Sequence, residues 1–163
     1  MKLTRSTLTT LLLAGLLAGA CRPAPEPPSP LDLSPDGAAE ITDAAGLEQR
    51  LKAAGMALTL DSELPTHYLP GTARIYAVEG SDERVELYSY PDEAQAVKAV
   101  SGISADGTTM VDPQDPGGQV TVKWPAPPHV YQQGRLLVIY AGSRSAALET
   151  LAAGLGDPIA GAD

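Results

Sequence analysis

The side chains best suited to chemistry are few and scattered. Among 163 residues there are two histidines, His67 and His129, and one cysteine, Cys21. Tetrahedral zinc takes three or four nitrogen, sulfur or oxygen ligands at short characteristic spacings. Neither histidine stands in such a spacing, so a metal centre would need His129 to recruit Asp112 or Asp115 from the preceding loop. Those aspartates, with Asp106, lack the D-x-D-x-D-G rhythm and closing Glu of a calcium loop. Asp-Gly at Asp106 and Asp-Pro at Asp112 and Asp115 are ordinary turn formers. Gly142-Ser143-Arg144-Ser145 lies where a hydrolase would place its nucleophile, between a strand and a helix. It lacks the G-x-S-x-G and S-x-x-K patterns, and helix capping accounts for both serines. Gly117-Gly118 is followed by no lysine and makes no phosphate loop. No catalytic set, metal site or cofactor site emerges, and a non-enzymatic role is expected. The alternative is an enzyme or metal-dependent protein using His129 with the nearby loop aspartates.

A polar-aromatic cluster remains. Trp124, His129, Tyr131 and Arg135 fall in one loop-to-strand segment that Pro125, Pro127 and Pro128 stiffen. Aromatic and arginine side chains favour recognition surfaces, so these four form the candidate binding surface. The same types also serve as core residues with a wet polar tip. Trp124 would then cap the core, and Arg135 would pair with an acidic neighbour.

These residues need a scaffold, and the hydrophobic pattern supplies one from Ala38 onward. Thr42 or Asp43 can cap a helix whose Ala44, Leu47, Leu51 and Ala54 share a face, with Gly55 as its stop. Met56 to Leu60 alternates as a short strand, and a loop with Pro65 and Pro70 follows. Ala73 to Val78 and Arg84 to Tyr90 read as a hairpin around Gly80-Ser81-Asp82. Pro91 suits a first helical position, with Asp92 and Glu93 in the first turn and Ala94, Val97 and Val100 inward. After a polar loop, with a short strand at Thr109 to Val111, Gln119 to Trp124 alternates again. Leu136 to Ala141 is continuously apolar, as a central strand is. Ser143 or Ser145 caps a last helix with Leu148, Leu151 and Leu155 inward, ended by Gly154 and Gly156. The expected class is α+β, in the order α-β-β-β-α-β-β-α. It is a mainly antiparallel sheet of about five strands with two or three helices on one face.

Phe is absent and aromatics amount to six Tyr and one Trp, so the core must be Leu, Val, Ile, Ala and Tyr. The net charge of −9 would repel a phosphate backbone, which excludes nucleic acid as a partner. One cysteine makes no internal disulfide.

That cysteine closes an apolar stretch. Lys2 and Arg5 precede the uncharged run Leu8 to Ala20, shorter than the about 20 residues a membrane span needs and suited to a signal peptide. Ala18-Gly19-Ala20 also satisfies an ordinary signal-peptidase site, which cuts the same bond. Leu17-Ala18-Gly19-Ala20-Cys21 resembles a bacterial lipobox, with Ala18 where the family usually has Leu. The resemblance implies a signal peptide over 1–20, removed before Cys21, and acyl chains such as palmitate on Cys21. An unmodified exposed thiol there would be reactive without packing purpose. From Arg22 to Gly37 the chain reads RPAPEPPSPLDLSPDG, whose six prolines favour extended polyproline II. At ~3.1 Å per residue such a linker reaches roughly 50 Å. The organisation expected is a signal peptide (1–20), a lipidated Cys with Pro-rich linker (21–37) and one α+β domain (38–163). The expected location is the cell envelope, lipid-anchored on a periplasmic or extracellular face. Arg22, in place of the Asp that marks inner-membrane retention in that family, points to the outer membrane. Partners would be the membrane, through Cys21, and an envelope protein or cell-wall component.

The segment from Trp124 to Gly142 carries a second resemblance. It is similar to a family of small uncharacterised bacterial secreted proteins and lipoproteins with a C-terminal W-x(3)-P-H-x-Y-x-x-G-R-x-x-V-x-Y-x-G motif. Trp124, His129, Tyr131, Gly134, Arg135, Tyr140 and Gly142 carry it, and the similarity extends from Leu47 to Gly161. Val130 stands where that family commonly has an aromatic. The family implies no activity.

Overall fold

The computed structural model describes residues 41–115 and 117–161. The expected signal peptide, the lipidation at Cys21, the Pro-rich linker and the first residues of the expected domain lie outside the described residues.

Helix α1 (Ala44–Ala53) starts because Asp43, in extended conformation, accepts a 2.8 Å hydrogen bond from the Gly46 N–H. This satisfies one of the donors a helix start leaves open. Arg50 and Lys52 sit in the last turn, where the helix dipole favours cations. Leu47 and Leu51, one turn apart, are fully buried. Among the described residues eight strands and two further helices follow, beginning with β1 (Leu58–Thr66), β2 (Pro70–Val78), β3 (Arg84–Ser89), α2 (Glu93–Val100), β4 (Thr109–Val111) and β5 (Gln119–Thr121). The chain continues through β6 (Pro128–Gln133), β7 (Leu136–Ala141), α3 (Ser145–Leu155) and β8 (Ala160–Gly161). Six strands form one antiparallel sheet in the order β1-β2-β3-β7-β6-β8, while β4 and β5 pair separately. The α+β class and the antiparallel sheet are as the pattern predicts. So is the β2–β3 hairpin around Gly80, and β7 stands inside the sheet between β3 and β6.

The helices do not share one face. Every residue of β7 is buried, and its side chains alternate between two cores. Leu136, Val138 and Tyr140 join Leu47 and Leu51 of α1 and Leu151 and Leu155 of α3. Leu137 and Ile139 point the other way, into a core with Ala96 and Ala99 of α2, Met110 of β4 and Val122 after β5. A strand apolar on both sides needs cover on both sides, and the chain provides it.

Several local expectations also change. β1 runs on to Thr66, through Pro65. As an edge strand it spares Pro65 a ladder bond, and a register shift between Leu64 and Thr66 absorbs the ring. Helix α2 begins at Glu93, not Pro91, because Asp92 is its N-cap and accepts from the Gln95 N–H at 2.9 Å. Its buried residues are Ala96 and Ala99, while Val97 is 50% exposed and Ala94 is exposed. The sheet beneath carries Tyr88 and Tyr90 in the same cluster, and small side chains fit against them where valine would stand off. Neither Ser143 nor Ser145 caps α3. Arg144 occupies the N-cap without a side-chain cap bond, and its guanidinium pairs with Glu83 at 2.6 Å. Gly154 lies within α3, where a Cβ would come within 2.6 Å of Ile41 Cδ1. The helix ends at Gly156, whose φ of 84° suits glycine.

Candidate functional site

The structure separates the four residues Trp124, His129, Tyr131 and Arg135. Trp124, half-buried, donates from Nε1 to the Gly107 carbonyl at 3.0 Å and meets the Tyr68 ring edge-on, centroids 5.8 Å apart. It packs on the α2-side core. Tyr131 points the opposite way, into the α1/α3 core, and burial pushes its hydroxyl pKa up. His129 stands opposite Tyr140 in the β6–β7 register and stacks on its ring, centroids 6.2 Å apart, with 8% exposure. Arg135 is exposed in the β6–β7 turn, where its carbonyl accepts from the Tyr90 N–H. His129 and Tyr131, two apart on β6, share a face, whereas Trp124 before the strand and Arg135 in the turn after it lie apart from them.

The loop aspartates are occupied in turns. Asp106 accepts from the Ser104 hydroxyl and from the N–H and hydroxyl of Thr108, and these bonds hold its carboxyl below the usual range. Asp112 accepts from the Gln114 N–H and Asp115 from the Gly117 N–H. Among the described residues none of the three bonds to His129, and no group of three or more His, Cys, Asp or Glu is placed to hold a metal. Ser143 donates its N–H to Glu83, beside the Arg144–Glu83 pair.

A row of polar side chains that the pattern hides lies along β3. Glu86, Tyr88 and Tyr90 follow at alternate positions, and alternation alone assigns them a solvent face. They are 0%, 0% and 4% exposed. Tyr88 donates to Glu86 Oε2 at 2.8 Å, and Arg84 Nη1 donates to Oε1 at 3.3 Å. Nε2 of His67, from the β1–β2 turn, lies 3.8 Å from Oε1. Burial first, then the Glu86 charge, raises the Tyr88 hydroxyl pKa far above its ordinary value. Burial likewise raises that of Tyr90. The Tyr90 hydroxyl and His67 Nε2 are enclosed and meet no hydrogen-bond partner among the described residues.

Beside this row lies a concave pocket of about 810 Å³. Its walls come from the β1–β2 turn (Leu69), the residue after β3 (Tyr90), α2 (Lys98, Ala99), the end of β4 (Val111) and the residue after it (Asp112). A volume of that order falls in the small-molecule range of about 300–1,000 Å³. A smaller concavity of about 200 Å³ adjoins Ile41, Gln133 and Arg135. The hydrophobic pattern of the chain carries no sign of the larger pocket, whose walls come from four separate segments.

No protein-family model, curated protein or solved structure matches the chain.

Proposed function

We propose that this chain is a lipid-anchored cell-envelope protein whose globular domain acts by binding rather than by catalysis. The lone cysteine carries the reading: Leu17-Ala18-Gly19-Ala20-Cys21 ends an apolar run and opens a proline-rich spacer. Acyl chains on Cys21 hold the protein on its membrane. Two or three chains bind far more firmly than one, since each buried CH₂ adds about 0.8 kcal/mol. Arg22 directs it to the outer membrane. The pocket beside α2 supports a binding role for the domain. His129, stacked on Tyr140, supports binding over a chemistry in which it would work with loop aspartates.

The test is the intact mass of the N-terminal peptide of the mature protein. The expected peptide starts at Cys21 and carries acyl mass. In the Cys21→Ser variant the protein stays unprocessed or moves to the soluble fraction. A bare Cys21 at the mature N-terminus overturns the anchor.

A further inference from the structure

Among the described residues Glu86 is the one carboxylate that the fold encloses completely. Its two oxygens are unequally served. Oε2 accepts from the Tyr88 hydroxyl at 2.8 Å, while Oε1 accepts a longer 3.3 Å bond from Arg84, whose side chain is 39% exposed and shares its charge with water. Opposite Glu86 on the neighbouring strands stand Ile75 of β2 and Ile139 of β7, which cannot answer a charge. His67 Nε2 lies 3.8 Å from Oε1, beyond a hydrogen bond. This nitrogen is itself enclosed and meets no hydrogen-bond partner among the described residues. A second proton on the ring would make Nε2 a charged donor facing an ionised acceptor. Such pairs close to roughly 2.7–2.9 Å, so a movement of about 1 Å makes the bond.

The residue that must move sits where the sheet restrains it least. β1 is an edge strand, its register shifts between Leu64 and Thr66, and residues 67–69 then join it to β2. Tyr68 is the titratable neighbour on the turn itself, its ring between those of His67 and Trp124. Arg84 is the opposing cation, because it shares Oε1 with His67. Leu69, Pro70 and Gly71 carry the turn on into the pocket wall.

We propose that His67 and Glu86 form a proton-operated clasp between the β1–β2 turn and β3. Doubly protonated, His67 donates from Nε2 to Glu86 Oε1 and fastens the turn. With one proton fewer the two atoms stand apart and the turn is looser. The bond is made at the acid end of the range in which histidine ordinarily titrates and is lost as pH rises through it. The Leu69 wall of the pocket is then fixed in acid and freer near neutrality. The clasp goes beyond the reading of the domain as a binding module and does not depend on the lipid at Cys21.

Hydrogen exchange of the full chain in detergent, read by mass spectrometry at pH 5.5 and 7.5, tests the clasp. Protection factors, corrected for the intrinsic pH dependence of exchange, are compared between residues 64–73 and residues 136–141. Relative to the central strand, the turn should be about two- to fivefold better protected at pH 5.5, the size of a partly exposed ion pair. His67→Gln cannot take up the proton and should abolish the rise. Glu86→Gln keeps an acceptor for Tyr88, removes the charge and should abolish it too. No rise in wild type, or a rise retained in either variant, overturns the clasp. His67 lies partly exposed in a turn, so His67→Gln leaves the core intact and decides the matter even if Glu86→Gln fails to fold.

Discussion

The two faces of the six-stranded sheet are built on different terms. On one, α1 and α3 lay Leu47, Leu51, Leu151 and Leu155 over Val78, Val85, Leu87 and Val138, and the interior is apolar. Its tyrosines carry their hydroxyls to partners. Tyr76 donates to Glu48 at 2.7 Å, and the Tyr140 oxygen accepts from the Arg144 N–H at 3.2 Å. Gly142 lies so close over Tyr140 that a Cβ there would strike the ring. On the other face one eight-residue helix and a two-stranded sheet give the cover. This face also holds the buried Glu86 and two polar atoms without hydrogen-bond partners among the described residues, and a pocket stays open beside it. The closed face holds the fold together, and the looser one has room for a ligand. Proteins commonly place recognition where packing is least complete.

The largest expected effect lies on the closed face. Val138 is fully buried there, and Val138→Asp places an unpaired carboxylate in an apolar core. The cost is on the order of 4 kcal/mol or more, against a total stability of about 5–15 kcal/mol for a typical domain. Near-ultraviolet circular dichroism should lose its native signal or the melt should fall by many degrees. A mutant melting within a degree or two of wild type would show that β7 is not the centre of the sheet.

A smaller loss is expected from the row on the looser face. Glu86→Ala removes the acceptor of Tyr88 and Arg84 and leaves the buried Tyr88 O–H without its acceptor, at about 1–3 kcal/mol. Glu86→Gln keeps an acceptor for Tyr88 and should recover part of that loss in urea unfolding. Equal midpoints for wild type and Glu86→Ala would mean that the row does not hold its face.

Alkaline pH should weaken the closed face. Burial first, then the bond to Glu48, pushes the Tyr76 hydroxyl up to about 12 from 10.0. Burial likewise pushes Tyr140 up to about 12. A folded-state value above the unfolded one favours the neutral form in the fold, so the stability is intact below pH 10. It falls as the unfolded chain ionises and is lost as pH rises through 12. Urea midpoints measured across that window should decline, and Tyr76→Phe should flatten part of the decline. A flat profile in wild type would contradict the burial of these hydroxyls.

The smallest effects distinguish the caps. Asp43→Ala and Asp92→Ala each remove one N-cap acceptor, worth about 1 kcal/mol. Their melting shifts should match, although one helix seals the closed face and the other roofs the pocket. A marked difference would show that one helix is held by packing and the other by its cap.

Much of the sheet is legible in the chain because its signals are local. Val85 and Leu87 alternate with polar neighbours, Gly80-Ser81-Asp82 turns the hairpin, and Asp43 stands three residues before the Gly46 N–H that it caps. The continuous run Leu136 to Ala141 carries the two-sided burial of β7 in plain view. A run apolar on both sides requires cover on both, so helices on one face alone do not satisfy it. The candidate cluster was less legible. Proximity in the chain says nothing of facing, and Trp124, in the loop before β6, and Tyr131, on β6, belong to different cores.

What the sequence determined by itself is whatever one or two turns of chain can enforce. The β2–β3 hairpin, the start of α1, the apolar centre at β7 and the α+β class all follow from turn chemistry, capping and periodicity. Tertiary structure decided the rest. Only the folded sheet, with His67 of the β1–β2 turn brought to 3.8 Å from Glu86, turns Glu86 and Tyr88 from an apparent solvent row into a buried one. Only the packing of small Ala96 and Ala99 against tyrosines chose that face of the helix over the Val97 face. β1 passes Pro65 because it has a free edge, a property of its place in the sheet and not of its residues. Burial depends on what lies opposite, and elements distant in the chain supply it.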